Sequence, residues 1–162
     1  MLNAPTSTPI PAQIRTTHVG HWLRLALERF DDRVRILMAQ HLGAPLALAN
    51  LAGRNQIGAA HIHITRHLAR EGARLTELAR SAGMTKQAMG TLVDQCAAWG
   101  MVTREDDPLD ARARRVCFPE AGLSWLQAYE ESVVQAELEM RQAVGDQVST
   151  VIAIGLEAYS AA

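Results

Sequence analysis

The sequence of 162 residues contains little cysteine, few aromatic residues and no long apolar run. Its two cysteines, Cys96 and Cys117, cannot build a disulfide framework, which predicts a reducing compartment. No apolar segment reaches the length that crosses a bilayer, so we expect no membrane partner. Residues 1–13 lack the basic start and apolar core of a secretory signal, and we therefore expect a cytoplasmic protein.

The sequence motifs of common enzymes are also missing. There is no G-x-G-x-x-G, no G-x-x-x-x-G-K phosphate loop, no G-x-S-x-G and no H-E-x-x-H. These absences predict a protein that is not an enzyme and that needs no cofactor. The acidic run of residues 105–107 could serve acid–base chemistry, but no partner base accompanies it, and we interpret it as part of a mobile loop.

The composition that remains favours helices and an uneven charge. Hydrophobic residues make up 48% of the chain, so leucine, alanine, valine and methionine must fill the core, and these residues favour helix over strand. Residues 1–95 hold eleven basic and six acidic residues, whereas residues 120–162 hold seven acids and one arginine. We therefore expect a polyanion to bind the first two-thirds of the chain rather than the acidic last part.

Apolar periodicity divides the chain into helices around one short hairpin. Prolines in residues 1–15 predict a flexible arm.

Two short strands are expected at 101–104 and 114–118, joined by an exposed loop that contains Pro108 and four acids. Apolar residues recur at helical spacing in seven segments: 17–42, 45–52, 56–70, 76–81, 86–99, 120–144 and 146–160. The first of these carries more than one apolar stripe, which predicts more than one packing partner.

The segments at 76–81 and 86–99 form a helix–turn–helix pattern. Gly83 suits the left-handed residue of the tight turn, and Thr85 suits the N-cap of the second helix. Because the hairpin is too small to fold alone, we expect it to pack on this pair as a wing. The predicted fold class is mostly α with a small β-hairpin wing, a winged helix–turn–helix with further helices on both sides.

The second helix of the pair has two different faces. Five residues are predicted to face the core: Ala88, Met89, Leu92, Val93 and Cys96. Another five share a polar face: Lys86, Gln87, Gly90, Thr91 and Asp94. Such a face can read base edges in a major groove, where glutamine pairs with adenine, threonine contacts a base or a thymine methyl, and lysine meets guanine or phosphate. The alternative is an ordinary solvated helix face.

The arginines of the hairpin strengthen the DNA-binding interpretation. Arg112 lies where the exposed loop returns to a strand, and such an arginine can enter a narrow minor groove. Arg114 follows two residues later on the same arginine-rich segment. Alternatively, Arg112 is an ordinary surface arginine that pairs with Asp110. The two interpretations are compatible if Asp110 orients Arg112 toward the minor groove.

The segment LTELARSAGMTKQAMGTLVDQCAAWGMVTREDDPLDARARRVCFPEAG, from Leu75 to Gly122, resembles the winged helix–turn–helix of the MarR family of bacterial transcription regulators. The resemblance implies a homodimeric repressor that binds pseudo-palindromic double-stranded DNA. It divides the chain into the arm (1–15), N-terminal dimerisation helices (16–55), the DNA-binding region (56–119) and C-terminal dimerisation helices (120–162).

The resemblance also implies roles for individual residues. Recognition-helix contacts map onto Thr85, Lys86, Gln87 and Thr91, the wing arginine onto Arg112, and its partner onto Asp110. Thr91 and Ala111 stand where the family often has basic residues, which predicts weaker phosphate neutralisation. Family members often bind a small effector between the dimerisation helices and the winged region, and here Trp22 and His61 are candidates to line that site.

Histidines and cysteines offer further alternatives. His63 and His67 have the i, i+4 spacing that metal sites use, but the set is incomplete, and we expect polar or pocket-lining roles for His61 and His63 and no metal. We expect both cysteines to face the core and to be inert. Two other functions stay open: a winged-helix protein-interaction module, and a ligand- or metal-binding dimer with little sequence-specific DNA binding.

Overall fold

A computed structural model describes residues 18–161, and the predicted arm at 1–15 lies outside them. Three helices come first: α1 (Val19–Gln40), α2 (Leu46–Gly53) and α3 (Ala59–His67). The central part comprises β1 (Ala73–Arg74), α4 (Leu75–Ser81), α5 (Lys86–Ala98), β2 (Thr103–Asp107) and β3 (Asp110–Cys117). The chain continues with α6 (Glu120–Val144) and α7 (Asp146–Ser160).

The predicted fold class is confirmed, with a small antiparallel sheet beside a helix–turn–helix. All seven predicted helices are present, with ends that differ from the prediction by three residues or fewer. Gly83 has a φ of +63°, the left-handed conformation that the turn between α4 and α5 requires. None of the helices within residues 18–161 is long and apolar enough to cross a membrane.

The predicted long loop of the hairpin is wrong. Residues 105–107 belong to β2 and residues 110–113 to β3, so that only Pro108 and Leu109 form the turn. Charged residues are compatible with β2 because it lies at the edge of the sheet, whose strand order is β1-β3-β2. Strand β1 was not expected from the sequence, and its two residues pair with Val116 and Arg115 of β3.

One hydrophobic core joins the winged region to the flanking helices. It contains Val34 and Met38 of α1, Met89 and Val93 of α5, and Trp125 of α6, all of them at most 1% exposed. The indole Nε1 of Trp125 donates a hydrogen bond to Thr65 Oγ1 over 3.1 Å, which satisfies the buried indole N–H. The long helix α6 is therefore anchored directly on the body of the winged region.

Helices α1 and α6 run antiparallel along each other. Arg33 holds Glu139 through two hydrogen bonds of 2.5 and 2.7 Å, while His41, the residue that follows the end of α1, lies 2.9 Å from Glu131. These contacts fix the register of the two helices. Only some of the apolar residues of α1 are buried in the protomer, since Trp22, Leu25 and Leu27 are exposed.

Candidate nucleic-acid interface

Helix α5, the second helix of the helix–turn–helix, begins where the sequence predicted. Thr85 has an extended backbone, and its Oγ1 accepts a hydrogen bond from the main-chain N–H of Ala88 over 3.2 Å. This cap satisfies one of the free amides at the helix start and places Lys86 and Gln87 in the first turn. Both side chains are exposed, and neither is bonded to another residue in the described part of the chain.

The core-facing side of α5 is narrower than predicted. Met89, Val93 and Cys96 are 0% exposed and Leu92 is half-buried, but Ala88 is exposed, so its predicted core position is wrong. Successive helix residues turn by about 100°, which carries Ala88 well away from the stripe of residues at i, i+4 and i+7. Ala88 therefore lies beside the polar face rather than opposite to it.

The polar face of α5 is open at its start and partly occupied further along. Thr91 is exposed, and its hydroxyl donates to the main-chain oxygen of Gln87 over 3.3 Å. The hydroxyl proton is thus directed inward, which leaves the oxygen lone pairs and the methyl group for an outside partner. Asp94 is bound to Arg104 of β2 at 2.6 Å, so the one acid of this face is neutralised by the wing.

Gly90 is half-buried at the centre of the same face. A Cβ at this position would meet only Leu75 Cδ2, at an ordinary contact distance of 3.7 Å. The neighbouring helix therefore does not require a glycine here. Contact of Gly90 with DNA, as part of the polar face, remains a prediction.

A bulge in the wing carries Arg112. The β2–β3 ladder runs regularly from Thr103–Cys117 to Asp106–Arg114, and the next pair is Asp107–Asp110. Residues 111–113 therefore have no partner across the ladder. Bulges of this kind bend a strand and redirect its side chains, and Arg112 lies in the middle of this one with its side chain exposed.

The contacts of Asp110 differ from a simple pair with the Arg112 side chain. Asp110 Oδ1 accepts the main-chain N–H of Arg112 over 3.1 Å, and Asp110 Oδ2 lies 3.6 Å from the Arg74 guanidinium. Ion pairs in the described wing involve Arg74, Arg104 and Arg114, and none involves the guanidinium of Arg112. Asp110 thus orients the backbone of Arg112 and leaves the guanidinium unpaired.

Arg114 is exposed and lies 3.4 Å from Asp106 on the neighbouring strand. Cross-strand pairs of this kind are weak when both side chains are exposed, so the guanidinium can exchange its partner easily. Arg114 is therefore available to a phosphate, although it is less free than Arg112.

The most buried charge of the wing was not expected from the sequence. Asp107 is 5% exposed and lies 2.7 Å from Arg74 Nε of β1. The main-chain N–H of Leu109, which donates to Asp107 Oδ1 over 2.9 Å, and the Arg74 guanidinium hold the pKa of Asp107 below its usual range. Because Arg74 lies 33 residues before Asp107 along the chain, no local sequence pattern predicts this ion pair.

Neither cysteine has the surroundings of an oxidant sensor. Burial raises the pKa of the Cys96 thiol to about 12, and the side chain is 0% exposed. Burial, with Glu105 nearby, also raises the pKa of Cys117, which is half-buried rather than fully in the core as predicted. Because the thiolate is the reactive form, both thiols are expected to react slowly.

The predicted effector residues occupy separate places in the described protomer. Trp22 is 55% exposed on α1, where its ring contacts His21. His61 of α3 contacts the ring of Trp99, and its Nε2 lies 2.9 Å from Gln95 Oε1 in the last turn of α5. His63 falls in α3, and its side chain lies outside the described part of the chain.

An open groove lies elsewhere, between the end of α1 and the middle of α6. Its volume is about 550 Å³, and it is lined by Leu37, Gln40, His41, Leu42, Glu131, Ser132 and Gln135. Within the described residues, neither Trp22 nor His61 lines it. The role that the resemblance gave to Trp22 and His61 remains a prediction.

The fold and this surface define a winged helix–turn–helix protein. The model of the MarR family matches residues 56–113, which confirms the resemblance to that family. The chain therefore has the fold of the MarR-family transcription regulators. Among curated proteins, none matches the sequence.

Solved structures agree with this fold. The regulator BpsR from Bordetella bronchiseptica is 17% identical, with a TM-score of 0.64 and coverage of 96% of this chain and 99% of that chain. The transcriptional repressor CouR, bound to a 23-mer DNA duplex, is 15% identical, with a TM-score of 0.62 and coverages of 94% and 99%. Wild-type MarR from E. coli is 18% identical, with a TM-score of 0.62 and coverages of 87% and 96%. At these identities the likeness concerns the fold.

Proposed function

We propose that this protein is a transcription regulator that binds double-stranded DNA as a homodimer and acts as a repressor. The observation that carries the proposal is the pairing of an open polar helix start with an unpaired arginine. Lys86 and Gln87 are exposed at the start of α5, and Arg112 is exposed on the bulge of the wing. A helix of this kind fits a major groove, while a wing arginine fits the adjacent minor groove.

Specificity and affinity are expected to depend on different residues in this interface. Gln87 and Thr91 offer donors and acceptors to base edges, whereas Arg112, Arg114 and Lys86 bring positive charge to the duplex. Thr85 shapes the start of the helix. Because Asp94 is already bound to Arg104, the acid on this face should repel phosphates less than its charge alone suggests.

Homodimerisation is supported by apolar residues that the protomer leaves uncovered. In α7 only Ser149 is buried, although the helix carries Val151, Ile154 and Tyr159 at 70%, 60% and 79% exposure. The exposed stripe of α1, with Val19 at 73%, needs a partner for the same reason. Two copies that cover each other's α1 and α7 would bury these residues and present two recognition helices to a pseudo-palindrome.

We further propose that a small molecule modulates the regulator. In BpsR, which shares this fold, DNA binding is regulated by 6-hydroxynicotinic acid. In the present chain, the groove between α1 and α6 is open to a small ligand, and Trp22, His61 and His63 remain candidates if a second protomer completes their site. A ligand that moves α6 would move the winged region that α6 anchors.

The deciding experiment incubates the protein with a pool of random duplexes at two salt concentrations and sequences what is retained. An enriched inverted repeat with half-sites about one helical turn apart is expected for a dimeric reader. Retention that disappears with salt and enriches no sequence would contradict the proposal and favour a protein-interaction module. Melting temperatures with phenolic acids and divalent cations then test the effector; no shift with any of them would contradict it.

A further inference from the structure

Arg74 occupies the junction between the sheet and the helix–turn–helix. It ends β1, and its main-chain N–H donates to Glu77 Oε2 over 2.9 Å at the start of α4. Its side chain reaches in the other direction, to Asp107 at 2.7 Å and Asp110 at 3.6 Å. One residue therefore connects the first helix of the DNA-binding unit to the turn of the wing.

The two aspartates shape the backbone that Arg74 reaches. Asp107 Oδ1 accepts the N–H of Leu109, and Asp110 Oδ1 accepts the N–H of Arg112, so each carboxylate closes a short turn. The second oxygen of each carboxylate faces the Arg74 guanidinium. Because Asp107 is 5% exposed, its charge cannot be left unpaired without a substantial loss of stability.

The bulge makes the position of Arg112 depend on these turns. Residues 111–113 have no partner across the ladder, so the β2–β3 hydrogen bonds do not fix this part of β3. The nearest restraint on Arg112 is the bond from its N–H to Asp110. Asp110 in turn pairs with Asp107 in the ladder, and Arg74 binds Asp107 at 2.7 Å and lies 3.6 Å from Asp110. The planar guanidinium can face two carboxylates at once, which a lysine ammonium cannot do with the same geometry.

From this arrangement we propose that Arg74 is a positioning residue for the wing: it bridges Asp107 and Asp110 and so sets the place of Arg112 relative to the recognition helix. Arg74 itself need not touch DNA. The inference rests on the proposed DNA-binding function and adds a residue that lies outside the recognition helix and the wing tip. In this arrangement the geometry of the wing depends on the ionic bridge of Arg74, Asp107 and Asp110 as well as on the hairpin itself.

Two measurements on Arg74→Gln test the proposal, with Arg70→Gln as the matched control. Arg70 is also an arginine in an ion pair, with Glu130 at 2.8 Å, but it has no contact with the wing in the described residues. Arg74→Lys tests whether a positive charge without the guanidinium geometry is enough to position the wing. Thermal melting establishes that each variant is folded. The first measurement is hydrogen exchange, which needs no DNA. Arg74→Gln should speed exchange at the amides of Leu109 and Arg112, whereas Arg70→Gln should not.

The second measurement is a double-mutant cycle on the duplex that the random pool enriches. If Arg112→Ala weakens binding about tenfold in the wild-type background, it should weaken binding about threefold or less in the Arg74→Gln background, as coupled neighbours do. It should keep its full effect in the Arg70→Gln background. The positioning role would be overturned if the affinity loss of the double variant equalled the product of the Arg74→Gln and Arg112→Ala losses. Unchanged amide exchange in Arg74→Gln would overturn it as well. Wild-type protein that enriches no duplex would overturn the proposed function alone, because the exchange measurement still decides whether the bridge holds the wing.

Discussion

The indole nitrogen of Trp125 lies 3.1 Å from the hydroxyl oxygen of Thr65, and both side chains are buried. This hydrogen bond joins α6 to α3, so it connects the longest helix to the body of the winged region. A buried indole N–H without an acceptor carries a full desolvation cost. The contact is therefore both a stability determinant and a link between the two parts of the fold.

Replacing Thr65 with valine tests this link. Thr65→Val keeps the shape of the side chain but removes the acceptor, and we expect the free energy of unfolding to fall by about 1–3 kcal/mol. Thr65→Ser keeps a hydroxyl and should lose less. Urea unfolding followed by tryptophan fluorescence measures both variants. Equal losses in the two would mean that the methyl contact, rather than the hydrogen bond, stabilises the site.

Gly122 provides a second stability prediction. A Cβ at this position would lie 2.2 Å from the carbonyl oxygen of Met101 and 3.0 Å from Phe118 Cδ1, so the start of α6 must move away from the base of the wing. We expect Gly122→Ala to be among the most destabilising single changes and to lower the melting temperature clearly. Gly90→Ala is the matched control, because its Cβ would find room and should add about 1 kcal/mol of helix stability. A neutral Gly122→Ala would contradict the close packing of α6 against the wing.

Gln87 and Arg112 should affect DNA binding in different ways. Gln87→Ala is expected to relax preference at one base pair, with a loss of about 1–3 kcal/mol of discrimination. Arg112→Ala should weaken binding to all duplexes and reduce the dependence on salt. Affinities for the enriched site, for single-base variants and for random DNA distinguish the two effects. Equal losses on specific and random DNA for Gln87→Ala would refute its base-reading role.

The cysteines yield a prediction about oxidation. The pKa of Cys96 is raised to about 12, so its thiol stays protonated throughout the neutral range and should react slowly with peroxide. We expect peroxide to leave DNA binding unchanged in the wild-type protein and in the C96S/C117S variant. The competing outcome is loss of binding in the wild type together with retained binding in the variant, which would make one of these thiols a sensor.

The helices and the N-cap of α5 were predictable because their signals are local. The periodicity of apolar residues located α5, and Thr85 and Gly83 marked its start and the turn before it. The same reasoning located α6 and α7 to within a residue. Each of these features depends on residues that lie within one or two turns of each other along the chain.

The wing was not predictable in the same way, because its contacts join distant residues. Pro108 and the surrounding acids resemble a long loop, whereas pairing with β3 extends β2 as far as Asp107. The partner of Asp107 is Arg74, and the partner of Asp94 is Arg104. The charge of Asp107 indicated an exposed position, and only its ion pair with β1 explains its burial. The exposure of Ala88 likewise depends on which stripe of α5 packs inward.

The position of β2 at the outside of the sheet has a consequence for self-association. Four of its five residues are charged, and the strand that borders the other side, β1, is only two residues long. Strands from neighbouring molecules that try to extend the sheet would meet charged side chains on one side and almost no free backbone on the other. The wing is thereby protected from amyloid-like stacking. We expect contact between copies to involve helices instead, and in the proposed homodimer the mutual coverage of α1 and α7 would close after two molecules rather than continue into a fibre.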